Sequence, residues 1–197
     1  MPFLGRRGAP VDWLIIGLGN PGGAYAGTPH NVGFEVANRL AARWQLGKPK
    51  SKYRALITEG RVGLPGAAGP RVAVLLPQTY MNDSGKSVGP ARGELKVPPD
   101  HIVVLHDEID LPFGEVRARL GGGLAGHNGL KSISAALGTP EFHRVRIGVG
   151  RPPTTDPDQV AAYVLGKFRE PKADVDALID AAADAAERIM RGTADQP

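Results

Sequence analysis

The 197-residue chain has no cysteine. Disulfides, thiolate nucleophiles and cysteine-ligated metal sites are therefore excluded, and a reducing compartment such as the cytoplasm is the expected location. Long apolar runs are missing too. None approaches the ~20 residues that cross a bilayer, so no membrane association is expected. Arg6-Arg7 is not followed by the apolar stretch of about 7–15 residues that an export signal requires. The H-E-x-x-H pattern of zinc hydrolases is absent, and no nucleophile for an acyl-enzyme is expected. What remains is a basic chain, net charge +4, which suits either a polyanionic partner or an ordinary soluble protein.

Residues 1–11 are glycine, proline and arginine without periodicity and are expected to form a flexible arm. Residues 12–197 then read as one domain. Trp13-Leu14-Ile15-Ile16 predicts a buried strand. It runs into Gly17-Leu18-Gly19-Asn20-Pro21-Gly22, with Tyr25, Thr28, His30 and Asn31 close behind. This G-x-G-x-x-G stretch imitates a dinucleotide fingerprint, but its context differs. A helix should open at Gly22 and an acid should lie about 20 positions on. Instead Gly23 and a loop through Pro29 follow, and the acids available are Glu35 and Glu59.

Pro29 lacks an N–H, so a helix is expected to start at or just after it and to run to about Gln45. Lys48, Lys50, Lys52 and Arg54 read as a solvated connector. Strands are predicted at 53–59 and 71–76, joined by a turn over 63–70. A helix should follow Thr79-Tyr80-Met81-Asn82-Asp83-Ser84-Gly85 and end before Pro98. Ile102–Leu105 predicts a buried strand ending in His106-Asp107-Glu108-Ile109-Asp110. Residues 115–120 and 143–149 alternate apolar and charged, which predicts half-exposed strands. Between them lie the glycine-rich loop 121–129, carrying His127 and Asn128, and a helix to Leu137. Helices near 159–165 and over 172–191 complete the chain. Alternating strands and helices argue for one sheet covered on both faces.

Charge is uneven. Residues 111–151 hold six Arg or Lys against Glu115 and Glu141. This is either a phosphate track or ordinary sheet-face charge. Four polar clusters follow predicted strands: Asn20 to Asn31, Tyr80-Met81-Asn82, His106-Asp107 and His127-Asn128. A parallel sheet centre would bring several to one edge. His106-Asp107-x-x-Asp110 offers a weak metal-ligand set. The alternative is a His-plus-carboxylate base acting on water.

The blocks Gly17-x-Gly19-Asn20-Pro21-Gly22-x-x-Tyr25-x-x-Thr28-x-His30-Asn31 and Gly121-Gly122-Gly123-x-x-Gly126-His127-Asn128-Gly129-Leu130-Lys131 resemble the two signatures of bacterial-type peptidyl-tRNA hydrolase. Thr79-Tyr80-Met81-Asn82-x-Ser84-Gly85 and His106-Asp107-Glu108-x-Asp110 match intervening blocks. The resemblance runs in order from about residue 13 to 168. It implies a single-domain, three-layer α/β/α fold with a central mixed twisted sheet. It implies cleavage of the ester between a peptide and the 3′ ribose of tRNA, without metal or other cofactor, by a cytoplasmic monomer with no protein partner. His30 would be the general base and Asp107 its partner. Asn20, Asn82 and Asn128 would hold the peptide's amides, Tyr25 and Tyr80 would pack on the terminal nucleoside, and Met81 and His127 would complete the substrate site. Arg119, Arg146 and, more weakly, Lys131 would meet tRNA phosphates at the acceptor end. Pro29 stands where the family commonly carries arginine. Two other activities fit parts of the pattern: RNA binding without turnover, and a nucleotide-dependent oxidoreductase using the glycine motif.

Overall fold

The computed structural model describes residues 10–63 and 68–193. The expected arm falls almost wholly outside them, as does the middle of the 63–70 turn.

Seven strands form one mixed sheet: β1 (Trp13–Gly17), β2 (Lys50–Lys52), β3 (Ala55–Arg61), β4 (Arg71–Pro77), β5 (Ile102–Glu108), β6 (Val116–Leu120) and β7 (His143–Gly148). Their order is β2-β3-β4-β1-β5-β7-β6. The centre is parallel, with β1 between β4 and β5 and β7 beyond β5. Antiparallel pairs close each side, β2 with β3 and β3 with β4 on one, and β6 with β7 on the other.

Among the described residues, five α-helices cover it: α1 (Val32–Arg43), α2 (Gly85–Leu95), α3 (Asn128–Leu137), α4 (Pro157–Leu165) and α5 (Lys172–Met190). On one face Ile15, Val103, Leu105 and Ile147 pack against Val36 and Leu40 of α1 and Ile179 and Ala182 of α5. On the other, Leu14, Ile16, Val104 and Leu75 pack against Val88 and Leu95 of α2 and Ile133 of α3. These are the expected three layers. The chain passes from β1 to β4 over the first face and from β4 to β5 over the second. The crevice beyond the carboxyl ends of β1 and β5 is thus the switch point where open α/β sheets bind ligands.

Three local expectations need correction. The basic connector contains a strand: β2 pairs with β3 through Lys52 and Ala55. Tyr53 and Arg54 both take left-handed conformations, φ 58° and 53°, as a two-residue hairpin turn demands. That turn delays β3 past the predicted start at 53. The β5 strand continues through His106, Asp107 and Glu108, all under 5% exposed. These residues therefore belong to the sheet, not to a break after it. On β6, an edge strand, Leu120 is 50% exposed, so its apolar positions are less buried than alternation suggested.

Candidate active site

His30 sits in a 3-10 turn, Pro29–Asn31, that leads into α1. Pro29 is the first residue of that turn and is buried. Its fixed φ suits this position and its missing N–H has no partner to lose. Gly33 lets α1 press onto β1 and β5: a Cβ there would lie 2.3 Å from the Leu105 carbonyl. The turn is thereby held over the end of β5, on the sheet face to which Asp107 projects.

His30 Nδ1 lies 3.0 Å from each carboxylate oxygen of Asp107. A second histidine arrives from the opposite layer. His127 Nε2 lies 2.9 Å from Asp107 Oδ1. The His127 ring also caps α3, its Nδ1 accepting from the backbone N–H of Gly129 at 3.1 Å and Leu130 at 3.4 Å. Two donors aimed at Nδ1 leave the proton on Nε2, so His127 donates to Asp107. His30 donates to the same carboxylate through Nδ1, which leaves its Nε2 as a lone pair in the cleft. Burial alone would raise the Asp107 pKa, but the two histidines outweigh it and hold the carboxyl well below its usual range. Burial opposes protonation of His30, yet the adjacent Asp107 charge and hydrogen bond raise its pKa above 6.5.

His30, Asp107 and His127 are also a possible metal triad, with one ligand atom from each within 4.8 Å of the others. The helix cap argues against it. A metal on His127 Nε2 would push the proton to Nδ1, against two backbone N–H groups. The other candidate set does not converge. His106 is adjacent to Asp107 along the strand and points to the opposite face, while Asp110 pairs with Arg151 at 3.2 Å. Burial, helped by nearby His127, pushes His106 down to about 3, so it is neutral.

The residues enclose a cleft of about 630 Å³. One wall is polar: Asn20, His30, Asn82, Asp107, His127 and Asn128. The other is apolar, built from Met81, Ile109 and α4 residues such as Val160 and Val164, with exposed Tyr80 at the mouth. Asn20 is fixed on three sides. Its N–H donates to Asn31 Oδ1 at 2.8 Å, its carbonyl accepts from Asn31 Nδ2 at 2.9 Å, and its Oδ1 accepts from Met81 N at 2.8 Å. Its side-chain NH2 is what it can offer a substrate. Asn31 therefore braces the site, a role visible only in its pairing with Asn20.

Tyr25 ends a 3-10 turn, Gly23–Tyr25, and is not among the cleft-lining residues. That turn also shows why the dinucleotide pattern fails: no α-helix opens at Gly22. A further pattern, Gly85-Lys86-Ser87-Val88-Gly89, has the spacing of a serine nucleophile elbow. Ser87, however, is fully buried inside α2 and donates to the Arg54 carbonyl at 3.0 Å. The strand-to-helix turn and histidine that activate such a serine are absent around it among the described residues.

Arg119 and Arg146 line a separate cavity of about 170 Å³ with His106, Glu108 and Arg144. Arg146 is not a free cation, since its Nε lies 3.2 Å from the Glu108 carboxylate. Lys131 is exposed on α3, outside both cavities.

The sequence model of the peptidyl-tRNA hydrolase family matches residues 14–196. The chain belongs to the peptidyl-tRNA hydrolase family. It is 49% identical over 180 residues to the peptidyl-tRNA hydrolase of Mycolicibacterium smegmatis, covering 90% of each chain. It is 50% identical to that of Streptomyces avermitilis, covering 92% of this chain and 89% of the relative. The crystal structure of the Acinetobacter baumannii peptidyl-tRNA hydrolase superposes with a TM-score of 0.81 at 36% identity, covering 96% and 93% of the two chains. The α/β fold, the hydrolase class and a role in translation follow from membership.

Proposed function

We propose that this cleft hydrolyses the ester between a peptide and the 3′ ribose of tRNA, with His30 as general base. The observation that carries the reading is the shared carboxylate. Asp107 accepts N–H from His30 and His127, which leaves His30 Nε2 free to take a proton. Water gives that proton to Nε2 as its oxygen attacks the ester carbonyl. The tetrahedral oxyanion collapses, the C–O bond to the ribose breaks, and the ribose oxygen recovers the proton from the imidazolium. Asp107 stabilises the imidazolium between the two steps. The NH2 groups of Asn20, Asn82 and Asn128 serve as donors to the peptide carbonyls and the developing oxyanion. Tyr80, 62% exposed at the mouth, offers a face for the terminal nucleoside.

The same wall explains a preference for N-blocked substrates. A free aminoacyl group would carry an ammonium into a cleft whose two acids are engaged. Asp107 holds two imidazoles, and Glu108 holds Arg146 and the Asp110 N–H. An unpaired buried cation is costly. Arg119, Arg146 and Lys131 are assigned to tRNA phosphates. The site of action is the cytoplasm and the unit a monomer. The lack of cysteine supports the first; no helix among the described residues is long and apolar enough to cross a membrane.

Turnover of N-acetylaminoacyl-tRNA in the presence of EDTA tests the reading. Release of N-acetylamino acid and intact tRNA is expected, with the unblocked aminoacyl-tRNA spared. Tight binding without release would make the protein an RNA binder. Binding of NAD or NADP would revive the glycine-motif alternative.

A further inference from the structure

Arg144 is an arginine on β7 that is only 2% exposed. Its side chain reaches across the end of β6 to the glycine-rich loop. Nη1 donates to the Gly123 carbonyl, and Nη2 donates to Gly122 at 3.1 Å and to Pro140 at 3.0 Å. The guanidinium carbon lies 4.9 Å from the centre of the Phe142 ring. All three acceptors are neutral backbone carbonyls. Glu141 is near enough to act on this charge, but no carboxylate is hydrogen-bonded to the guanidinium; such a buried cation is expensive, and a neutral side chain would fill this space at less cost. A planar fork of N–H donors, rigid and wide, is suited to holding carbonyls from two separate segments at once.

The tethered segment is short and unusual. Gly121, Gly122, Ala125 and Gly126 all have positive φ, so the loop has little intrinsic preference for its observed path. Its far end is His127, whose N–H donates to the Leu124 carbonyl at 2.9 Å and whose ring holds Asp107. Its near end packs under Arg119 of β6, whose guanidinium lies over Gly122; a Cβ there would fall 2.4 Å from it.

We propose that Arg144 is a positioning residue for catalysis. It fixes the glycine-rich loop from below, and the loop in turn aims His127 at Asp107 and Arg119 at the substrate. It contacts neither substrate nor the reacting atoms. Misplacing the supported groups by about 1 Å can cost on the order of 100-fold in rate.

This inference rests on the hydrolase reading, and its test separates the two. Arg144→Met keeps the length and apolar contacts of the stem and removes the fork; Arg144→Lys retains one cationic donor. Each is assayed with full-length N-acetylaminoacyl-tRNA and with a short N-acetylaminoacyl-CCA fragment. Arg144→Met should lower kcat about 10- to 100-fold on both substrates, and Arg144→Lys should recover part of that loss. Proton NMR gives a readout independent of turnover. The downfield resonance of His127 Nε2–H, protected by Asp107, should broaden or vanish in Arg144→Met and persist in Arg144→Lys. A lower melting temperature with both kcat and that resonance unchanged overturns the proposal, since Arg144 is then only structural. A loss confined to KM for the full-length substrate overturns it as well, because that pattern belongs to a phosphate contact. An inactive wild-type protein would instead refute the hydrolase reading, while the NMR arm would still decide whether Arg144 orders the loop.

Discussion

His30 and His127, contributed by opposite helical layers, meet on one Asp107 carboxylate, at 3.0 Å and 2.9 Å. The two rings are not equivalent. His127 is committed by its Nδ1 to the backbone of α3, so it can only donate. His30 has one nitrogen committed and one available, and the chemistry falls to it.

His30→Ala should therefore lower kcat by about 10²–10⁴, the usual contribution of a general base. Binding of tRNA should survive, because the basic surface is elsewhere. Single-turnover rates together with a filter-binding isotherm check both halves; near-normal turnover would remove His30 from its role.

Asp107→Asn has a sharper expectation. His127 presents a fixed N–H, so the new amide will turn its oxygen there and its NH2 towards His30. That forces the His30 proton onto Nε2, the wrong tautomer for a base, and kcat should fall by about 10⁴. The pH profile changes as well. His30 must be neutral to act, so kcat/KM falls as pH drops through its pKa. Burial lowers that pKa, and Asp107 more than offsets burial to leave it raised. Without the charge, burial acts alone, and the acid limb of the residual activity should move to lower pH. An unshifted limb would mean that Asp107 does not set the pKa of the working base.

His127 has two duties that one substitution can separate. His127→Ala loses the α3 cap and the N–H to Asp107, and the cap alone is worth ~0.5–2 kcal/mol. Asn is a good N-cap but too short to reach Asp107. His127→Asn should thus restore most of the stability in urea titrations without restoring kcat. Equal recovery of both would reduce His127 to a helix cap.

Arg119→Ala should raise KM for full-length peptidyl-tRNA, leave kcat nearly unchanged, and reduce the salt slope of binding by about 0.7–0.9. A CCA fragment should be indifferent. Arg146→Ala is a less clean variant, because it strips the counter-charge from Glu108, whose side chain is 3% exposed. It should show the same KM effect with a lower melting temperature. A salt series on both substrates distinguishes the two. Equal losses on fragment and full-length tRNA would dismiss the phosphate contact.

Much of this was legible in the sequence because it depends on local pattern. Uninterrupted apolar residues marked β1 and the start of β5, helical spacing marked α1 and α5, and the polar residues after them marked His30 and Asp107. What escaped depends on partners distant in the chain. Arg144 alternates with Val145 like any surface cation, and only the fold shows that its side chain points under a loop. Asn31 looked like one more polar residue of a motif until it met Asn20 across 11 positions. Tyr25 had the chemistry of a stacking residue, but the turn that carries it lies beside the cleft. The lysines of β2 looked like loop because nothing local shows that β3 supplies a partner. Ser87 agrees with the expectation of no nucleophile for a reason of burial: it has the elbow's spacing, but it lies inside α2, bonded to the Arg54 carbonyl.

The sheet ends in two short strands that are charged as well as exposed. Lys50 and Lys52 stand on β2, and Arg117 and Arg119 on β6. An open strand edge invites another chain to pair with it, and like charges along the edge repel a second copy. The arginines of β6 therefore guard this edge as well as adding to the basic charge. Neutralising both would leave Val116, Ala118 and the half-exposed Leu120 on an uncharged edge, ready for edge-to-edge association. Double variants intended to weaken RNA binding should first be examined for self-association, since molecules lost to aggregates would imitate a loss of affinity.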